Sequence, residues 1–197
     1  MKDGREVGLV VKGNNGELDK DHVVKLNRYE FAPRPFDIAA GWVKYHPHSP
    51  FKVKPFEVHM WQEVAALGYP ESASIMDGEA LWMNLRGYRG HIQRPTVPRD
   101  MPSGRHPNGF ELDFLLGPGS SGGPVFTPDE VLIGVGVGSF KSEHLDEAIT
   151  EIDDDGKVYR EQRVRIEQFG FAHDISGLLD WRAEIFGGAS LQEVAAI

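Results

Sequence analysis

The chain has 197 residues, of which 40% are hydrophobic and 26% charged, with a formal net charge of −9 and no cysteine. This is the composition of a soluble globular protein with one domain or two small halves, and the negative charge argues against a nucleic-acid partner. The lack of cysteine excludes a disulfide framework, no apolar run reaches the roughly 18 residues of a membrane span, and the first six residues are not a signal peptide.

The first third of the chain predicts short strands joined by turns. Glu6–Lys12 is rich in β-branched residues and stops at a Gly-Asn-Asn-Gly hairpin signal, and His22–Leu26 follows as the next strand. Asp37 then leads into a short apolar strand; on turn chemistry alone, an aspartate after proline is a turn or cap residue. Tyr45–Phe56 contains three prolines and is predicted to be a loop between two halves. Histidines 46, 48 and 59 lack a carboxylate at ligand spacing, so no metal or cofactor is expected.

The rest of the chain continues mainly as short strands. Glu63–Pro70 is a predicted strand that ends in a turn at Gly68-Tyr69-Pro70, and Pro95–Asn108 is a predicted surface loop. The further predicted strands are Leu81–Leu85, Tyr88–Gln93, Phe110–Phe114, Val131–Phe140, Val158–Ile166 and Phe169–His173. Ile175–Phe186 shows helical spacing and stops at two glycines, which predicts a C-terminal helix. Together these elements predict an all-β barrel architecture with one terminal helix.

The chemistry-bearing segment is the glycine-rich stretch of residues 117–125, which places a serine between two apolar runs. At the tip of a tight turn, the Ser121 hydroxyl can attack a carbonyl while the amides of Gly119 and Ser121 hold the oxyanion that forms. The same letters fit the Gly-x-Ser-x-Gly elbow of an α/β-hydrolase esterase, which requires a helix directly after the serine, where Pro124 and Pro128 oppose one. Residues 117–125 also fit a glycine-rich hairpin loop that has no catalytic role.

The string Gly-Ser-Ser-Gly-Gly-Pro at residues 119–124 resembles the nucleophile motif of the chymotrypsin/trypsin-like serine proteases. Asp37-Ile38-Ala39 is similar to the family's acid motif, and Gly68-Tyr69-Pro70 is similar to the start of the second barrel in bacterial members. The resemblance implies a double β-barrel in which Ser121 is the nucleophile and Asp37 orients a catalytic histidine. The family's trypsin branch has Asp where this chain has Ser120, which implies that this protein needs no activation by N-terminal cleavage.

The resemblance leaves the general base without a matching residue. The order base, acid, nucleophile places the histidine about 45 residues before the aspartate, whereas residues 1–20 contain no histidine and His22 precedes Asp37 by only 15. We therefore expect a fragment whose first strands and catalytic histidine lie upstream of Met1, with His22 as the other candidate base. The expected units are a partial N-terminal barrel at 1–58, a C-terminal barrel with the serine loop and helix at 59–188, and a tail at 189–197.

The expected function is peptide-bond hydrolysis by a serine endopeptidase with a protein or peptide as substrate. By the family's spacing, Leu115 forms the floor of the primary specificity pocket and Val137, Gly138 and Ser139 line it, which implies cleavage after apolar or small residues. A protease-like module that binds peptides along a strand edge without cutting them is the other class. No nucleic-acid or membrane partner is expected, and the sequence leaves compartment and oligomeric state open.

Overall fold

The computed structural model describes residues 8–12, 18–43, 50–77, 80–101, 106–152 and 154–196. These residues form mainly strands, in agreement with the predicted all-β class. The elements are β1 Gly8–Lys12, β2 Leu18–Phe31, β3 Ala39–Val43, β4 Glu63–Gly68, β5 Ser74–Asp77, β6 Ala80–Met83, β7 Arg86–Thr96, β8 Gly109–Leu112, β9 Pro124–Phe126, β10 Leu132–Ile152, β11 Val158–Asp174 and the short helix α1 Leu191–Ala195.

The N-terminal strands form a three-stranded antiparallel sheet in the order β1-β2-β3. The residues of the predicted hairpin turn lie outside the described part, and the strands on either side pair as a hairpin requires, with Leu9 opposite Val24. Asp37 lies two residues before β3, in a turn closed by the amide of Ala32, which donates to the carbonyl of Ile38 at 2.9 Å. The described N-terminal residues form this open sheet, so the double barrel stays a prediction.

Six strands close into a barrel in the order β10-β11-β8-β7-β4-β9. Burial alternates along β4, because successive side chains of a strand point to opposite faces. The barrel interior is packed with aliphatic side chains and one phenylalanine: Val64, Ala66, Ile92, Phe110, Leu112, Leu116, Val125, Val131, Ile133 and Ala172. This core holds the end of β4 and the start of β10 on either side of the glycine-rich segment.

The last two strands are longer than the sequence predicts. β10 has 21 residues and β11 has 17, so the strands predicted at Val158–Ile166 and Phe169–His173 are one continuous strand. The two strands pair from Gly134 opposite Asp174 to Ile152 opposite Val158, well past the ends of their other barrel partners. The outer part of this hairpin is a two-stranded arm.

The helix predicted over Ile175–Phe186 is wrong. The segment contains two single 3₁₀ turns, Ser176–Leu178 and Glu184–Phe186, and Ala183 between them is extended. Of the residues at the helical spacing, Ile175, Leu178 and Leu179 are buried, whereas Ile185 is half-buried and Arg182 is exposed. Tertiary packing decided the backbone, because the amides of Leu191 and Gln192 donate to Trp181 and Leu179 and hold the segment in a folded-back path. Over the described chain, no helix has the length and apolarity to cross a membrane.

Candidate functional site

The glycine-rich segment, residues 117–123, forms a tight double turn that leads from the residues after β8 into the strand β9. The amide of Ser120 donates to Gly117 O at 3.0 Å, and the amide of Gly123 donates to Ser120 O at 3.1 Å. Two further bonds of 2.8 Å link the turn to β10, from Gly122 N to Gly136 O and from Gly136 N to Gly123 O. The turn is therefore fixed to the barrel on both sides of Ser121.

Three glycines are required by the close approach of this turn to the end of β4. A Cβ at Gly123 would collide with the carbonyl of Leu67, and one at Gly68 would lie 2.7 Å from the Cβ of Ser120. Gly119 has a φ of +89°, which side chains rarely adopt, and its Cβ would lie 2.6 Å from Tyr69 O. The glycine spacing in the sequence thus reflects backbone packing between the turn and residues 67–71.

The two adjacent serines have different environments. Ser120 is buried, with its hydroxyl 3.1 Å from the hydroxyl of Tyr88. Ser121 is exposed, and its hydroxyl donates to the carbonyl of Val137 at 2.5 Å. Of the two, Ser121 is the exposed residue, and its role as the nucleophile stays a prediction.

The two amides predicted for the oxyanion hole carry no hydrogen bond within the described part of the chain. The amides of Ser120 and Gly122 donate inside the fold, whereas those of Gly119 and Ser121 do not. The amides of Gly119 and Ser121 are therefore available to a bound group. Such free amides are the groups that stabilise a tetrahedral oxyanion.

A pocket of about 420 Å³ lies beside this turn. Its wall combines the backbone of residues 119–124 with the side chains of Leu67, Tyr69 and Leu85. The aliphatic and aromatic side chains make it suited to an apolar group of a bound peptide.

The residues predicted to form the specificity pocket do not line the pocket beside the serine turn. A β-bulge between Gly136 and Gly138 places Val137 out of register and presents its carbonyl to Ser121. The Ser139 hydroxyl accepts from the amide of Leu116 at 2.8 Å and donates to its carbonyl at 3.0 Å, which joins β10 to the segment before the serine turn. Leu115 next to it is 43% exposed. The role of these residues in substrate selection stays a prediction.

Asp37 lies in electrostatic range of a histidine of the barrel. Asp37 is exposed. Burial, together with the neighbouring His106, lowers the pKa of His173 to about 4, and the charge of Asp37 opposes this shift without cancelling it. The two imidazoles lie with His106 Nδ1 3.0 Å from His173 Nε2. Among the described side chains, no imidazole is hydrogen-bonded to Ser121, and the side chain of His22 on β2 lies outside them.

Sequence reasoning missed two histidine contacts. Besides the His106–His173 pair, His91 Nδ1 lies 3.3 Å from a carboxylate oxygen of Asp113, whose other oxygen accepts from the His91 amide at 2.8 Å. The members of each pair are 67 and 22 residues apart, and no local motif relates them. Only the β7–β8–β11 pairing brings them together.

The structure excludes the α/β-hydrolase elbow. After Ser121 the chain turns at Gly122 and Gly123 and continues as the strand β9, whereas that elbow runs directly into a helix. The prolines and β-branched residues that oppose a helix in the sequence therefore have the expected effect.

The sequence matches no protein-family model, and no curated protein matches it. Among solved structures, the chain is similar to the MamO protease domain from Magnetospirillum magneticum in its apo form. The two share 13% sequence identity with a TM-score of 0.47, over 87% of this chain and 72% of the other. Similarity at this level identifies neither the family nor the reaction, so a function has to be argued from the site itself.

Proposed function

We propose that this chain is the serine-bearing part of a trypsin-like double-barrel endopeptidase in which Ser121 attacks the peptide carbonyl. The observation that carries the proposal is the combination, on one rigid turn, of an exposed Ser121 hydroxyl with unbonded amides at Gly119 and Ser121. In the reaction, the serine oxygen bonds to the carbonyl carbon and the two amides stabilise the negative oxygen. The tetrahedral intermediate collapses with cleavage of the C–N bond, and the amine leaves with the proton that the imidazole took from the serine; water then hydrolyses the acyl-enzyme to the carboxylic acid and the free serine.

The hydroxyl proton has to move to an imidazole before attack. It is donated to Val137 O in the resting site, and a backbone carbonyl cannot accept it as a base. We propose that Asp37 orients the histidine that takes the proton and stabilises its charged form. His22, which precedes Asp37 in the chain, and a histidine outside these 197 residues are the two candidates.

The serine turn needs no charge pair to form. Ser120 is buried and is held by the Tyr88 hydroxyl, in the place where the trypsin branch of the family has an aspartate. This contact supports the proposal that cleavage of an N-terminal segment does not activate the protein. For substrates, a half-exposed Leu115 and the glycines of β10 favour apolar or small residues, because a lysine or arginine would be buried without a partner.

A non-catalytic peptide-binding module is the second candidate function. The observation that favours it is the Ser121–Val137 bond, which occupies the hydroxyl proton while no described imidazole contacts the serine. In that case the pocket beside Leu67 and Tyr69 would bind an apolar side chain without bond cleavage.

Labelling with a fluorophosphonate, which reacts only with an activated serine, tests the proposal. In a version extended upstream to include a catalytic histidine, or in the given chain if His22 is the base, we expect the modification to map to Ser121 by mass spectrometry, to disappear in Ser121→Ala and to persist in the control Ser142→Ala. Without either base, the given chain should not be labelled. Loss of the nucleophile lowers kcat by on the order of 10⁶. Loss of labelling in His22→Ala would identify His22 as the base. A peptide-binding protein would bind apolar peptides but give no labelling with or without an upstream extension, which would refute the catalytic proposal.

A further inference from the structure

The side chain of Ser120 enters the end of the barrel, directly before the exposed Ser121 in the chain. Ala66 lies opposite Tyr88 in the β4–β7 pair, so Ala66, Gly68 and Tyr88 share the inner face of the barrel. A Cβ at Gly68 would lie 2.8 Å from the hydroxyl oxygen of Ser120, so the glycine leaves the space that this side chain needs. The Ser120 side chain is therefore enclosed by the barrel, and the residue is 1% exposed.

The hydroxyl of Tyr88 is the hydrogen-bond partner of this buried serine. The two oxygens are 3.1 Å apart. The Tyr88 ring packs against the barrel core and is stacked on Phe114, with ring centroids 5.9 Å apart and an angle of 11° between the planes. Because a buried hydroxyl without a partner is unfavourable, the bond holds Ser120 against an aromatic side chain that is itself fixed by packing.

The carbonyl of Ser120 determines the direction of the Ser121 amide. Both groups belong to one planar peptide unit, and in a trans unit the C=O and N–H bonds point in opposite directions. The carbonyl accepts from the amide of Gly123 at 3.1 Å inside the turn, so the N–H of Ser121 points away from Gly123. This is the orientation that leaves the Ser121 amide free for an oxyanion.

The Gly119 amide is oriented in the same way. The carbonyl of Pro118 accepts from the amide of Glu71 at 2.8 Å, so the N–H of Gly119 in the same peptide unit points away from Glu71. The unit between these two is held by the amide of Ser120, which donates to Gly117 O at 3.0 Å. Three successive peptide units are thus fixed, and the glycines of the turn leave the Ser120 side chain as their anchor in the barrel.

We propose that Tyr88 is a positioning residue of this site: its hydroxyl anchors Ser120 and thereby keeps the amides of Gly119 and Ser121 oriented for the oxyanion. The inference rests on the proposed function, since the two amides matter for catalysis only if Ser121 reacts. Removal of one oxyanion donor lowers kcat by about 10²- to 10³-fold, so partial loss of orientation in Tyr88→Phe should cost about tenfold or more.

Amide hydrogen exchange of the 197-residue chain tests the anchoring without requiring activity. In Tyr88→Phe, which keeps the ring and removes the hydroxyl, we expect the bonded amides of Ser120 and Gly123 to exchange at least fivefold faster. The matched control is Thr127→Val, which removes a hydrogen bond to the Val131 amide outside the turn and should change these two rates by less than about twofold. Unchanged exchange in Tyr88→Phe, or equally fast exchange in both variants, would overturn the proposal.

Fluorophosphonate labelling tests the consequence for Ser121, in the version of the chain that reacts. We expect Tyr88→Phe to lower the maximal labelling rate at least tenfold and to change the half-saturating probe concentration by less than about threefold, because Tyr88 does not line the pocket beside the turn. Ser120→Ala should have a similar effect, and the double variant should lose no more than the larger single loss, since both changes break one bond.

A parental labelling rate in Tyr88→Phe, or additive losses in the double variant, would overturn the role of Tyr88. Absence of labelling in every version would refute the proposed function instead, and hydrogen exchange would then decide by itself whether Tyr88 anchors the turn.

Discussion

His173 makes the stability of the barrel sensitive to acid. It is 2% exposed on β11, and burial together with the neighbouring His106 lowers its pKa to about 4 from an ordinary 6.5, despite the opposing charge of Asp37. Because the pKa is lower in the folded state, the unfolded chain binds more protons between these two values. The stabilisation is therefore complete above about pH 6.5 and is lost as the pH falls towards 4.

The size of the effect follows from the two pKa values. Each unit corresponds to about 1.4 kcal/mol, so the full difference is worth about 3 kcal/mol, of which about 2 kcal/mol is lost between pH 7.5 and pH 5. Urea unfolding at these two pH values measures it. We expect the free energy of unfolding of His173→Gln to fall by about 2 kcal/mol less than that of the parent protein over this interval.

The substitution is chosen because a glutamine amide can still hydrogen-bond to His106 but does not titrate. His59→Gln is the control, since His59 is an exposed histidine beside Glu57, away from the His106–His173 pair. All other titrating groups are common to the variants and cancel in the difference. Equal pH dependence of the parent and His173→Gln, or an equal reduction in His59→Gln, would refute the reasoning.

Two further predictions concern packing. In Gly123→Ala the new methyl group collides with the carbonyl of Leu67, so we expect the free energy of unfolding to fall by about 3 kcal/mol. The control Gly122→Ala meets only backbone strain, which costs about 1 kcal/mol. An equal loss in both variants would contradict the clash. Thr96→Val removes a buried hydroxyl that has no hydrogen-bond partner in the described structure, so urea unfolding should show that the free energy of unfolding rises by about 1 kcal/mol. The control Thr127→Val removes a hydroxyl that accepts from the Val131 amide, so its free energy of unfolding should fall by a similar amount.

The strands could be predicted where each one has a local pattern and a clear stop. The predicted segment Glu63–Pro70 contains the observed β4, Glu63–Gly68, because the apolar residues of the strand and the turn that follows are encoded within eight residues. Of the long arm, the strand at Val158–Ile166 was predicted, whereas residues 141–152 of β10 were not, since their charged residues have no local pattern that separates a paired strand from a loop. The helix over 175–186 was predicted wrongly because apolar spacing defines which residues are buried but not the path of the backbone between them.

The candidate site also has one part that the sequence predicts, the serine turn, and one part that it does not, the surroundings of Asp37. The serine turn could be predicted because close backbone packing requires glycine at fixed positions, such as Gly119 and Gly123. The surroundings of Asp37 could not, because its neighbour His173 is 136 positions away and reaches it only through the fold. A resemblance at the serine motif therefore carries no information about which imidazole the carboxylate faces.

The bond between Ser121 and Val137 is too weak to decide between an enzyme and a binding module. A hydrogen bond of this kind contributes about 1 kcal/mol net, whereas an enzyme lowers its barrier by at least about 8 kcal/mol. An imidazole that reaches Ser121 would displace the Val137 carbonyl at small cost, and the strand bulge that presents this carbonyl would remain. Activity thus depends on whether a histidine occupies the space in front of Ser121.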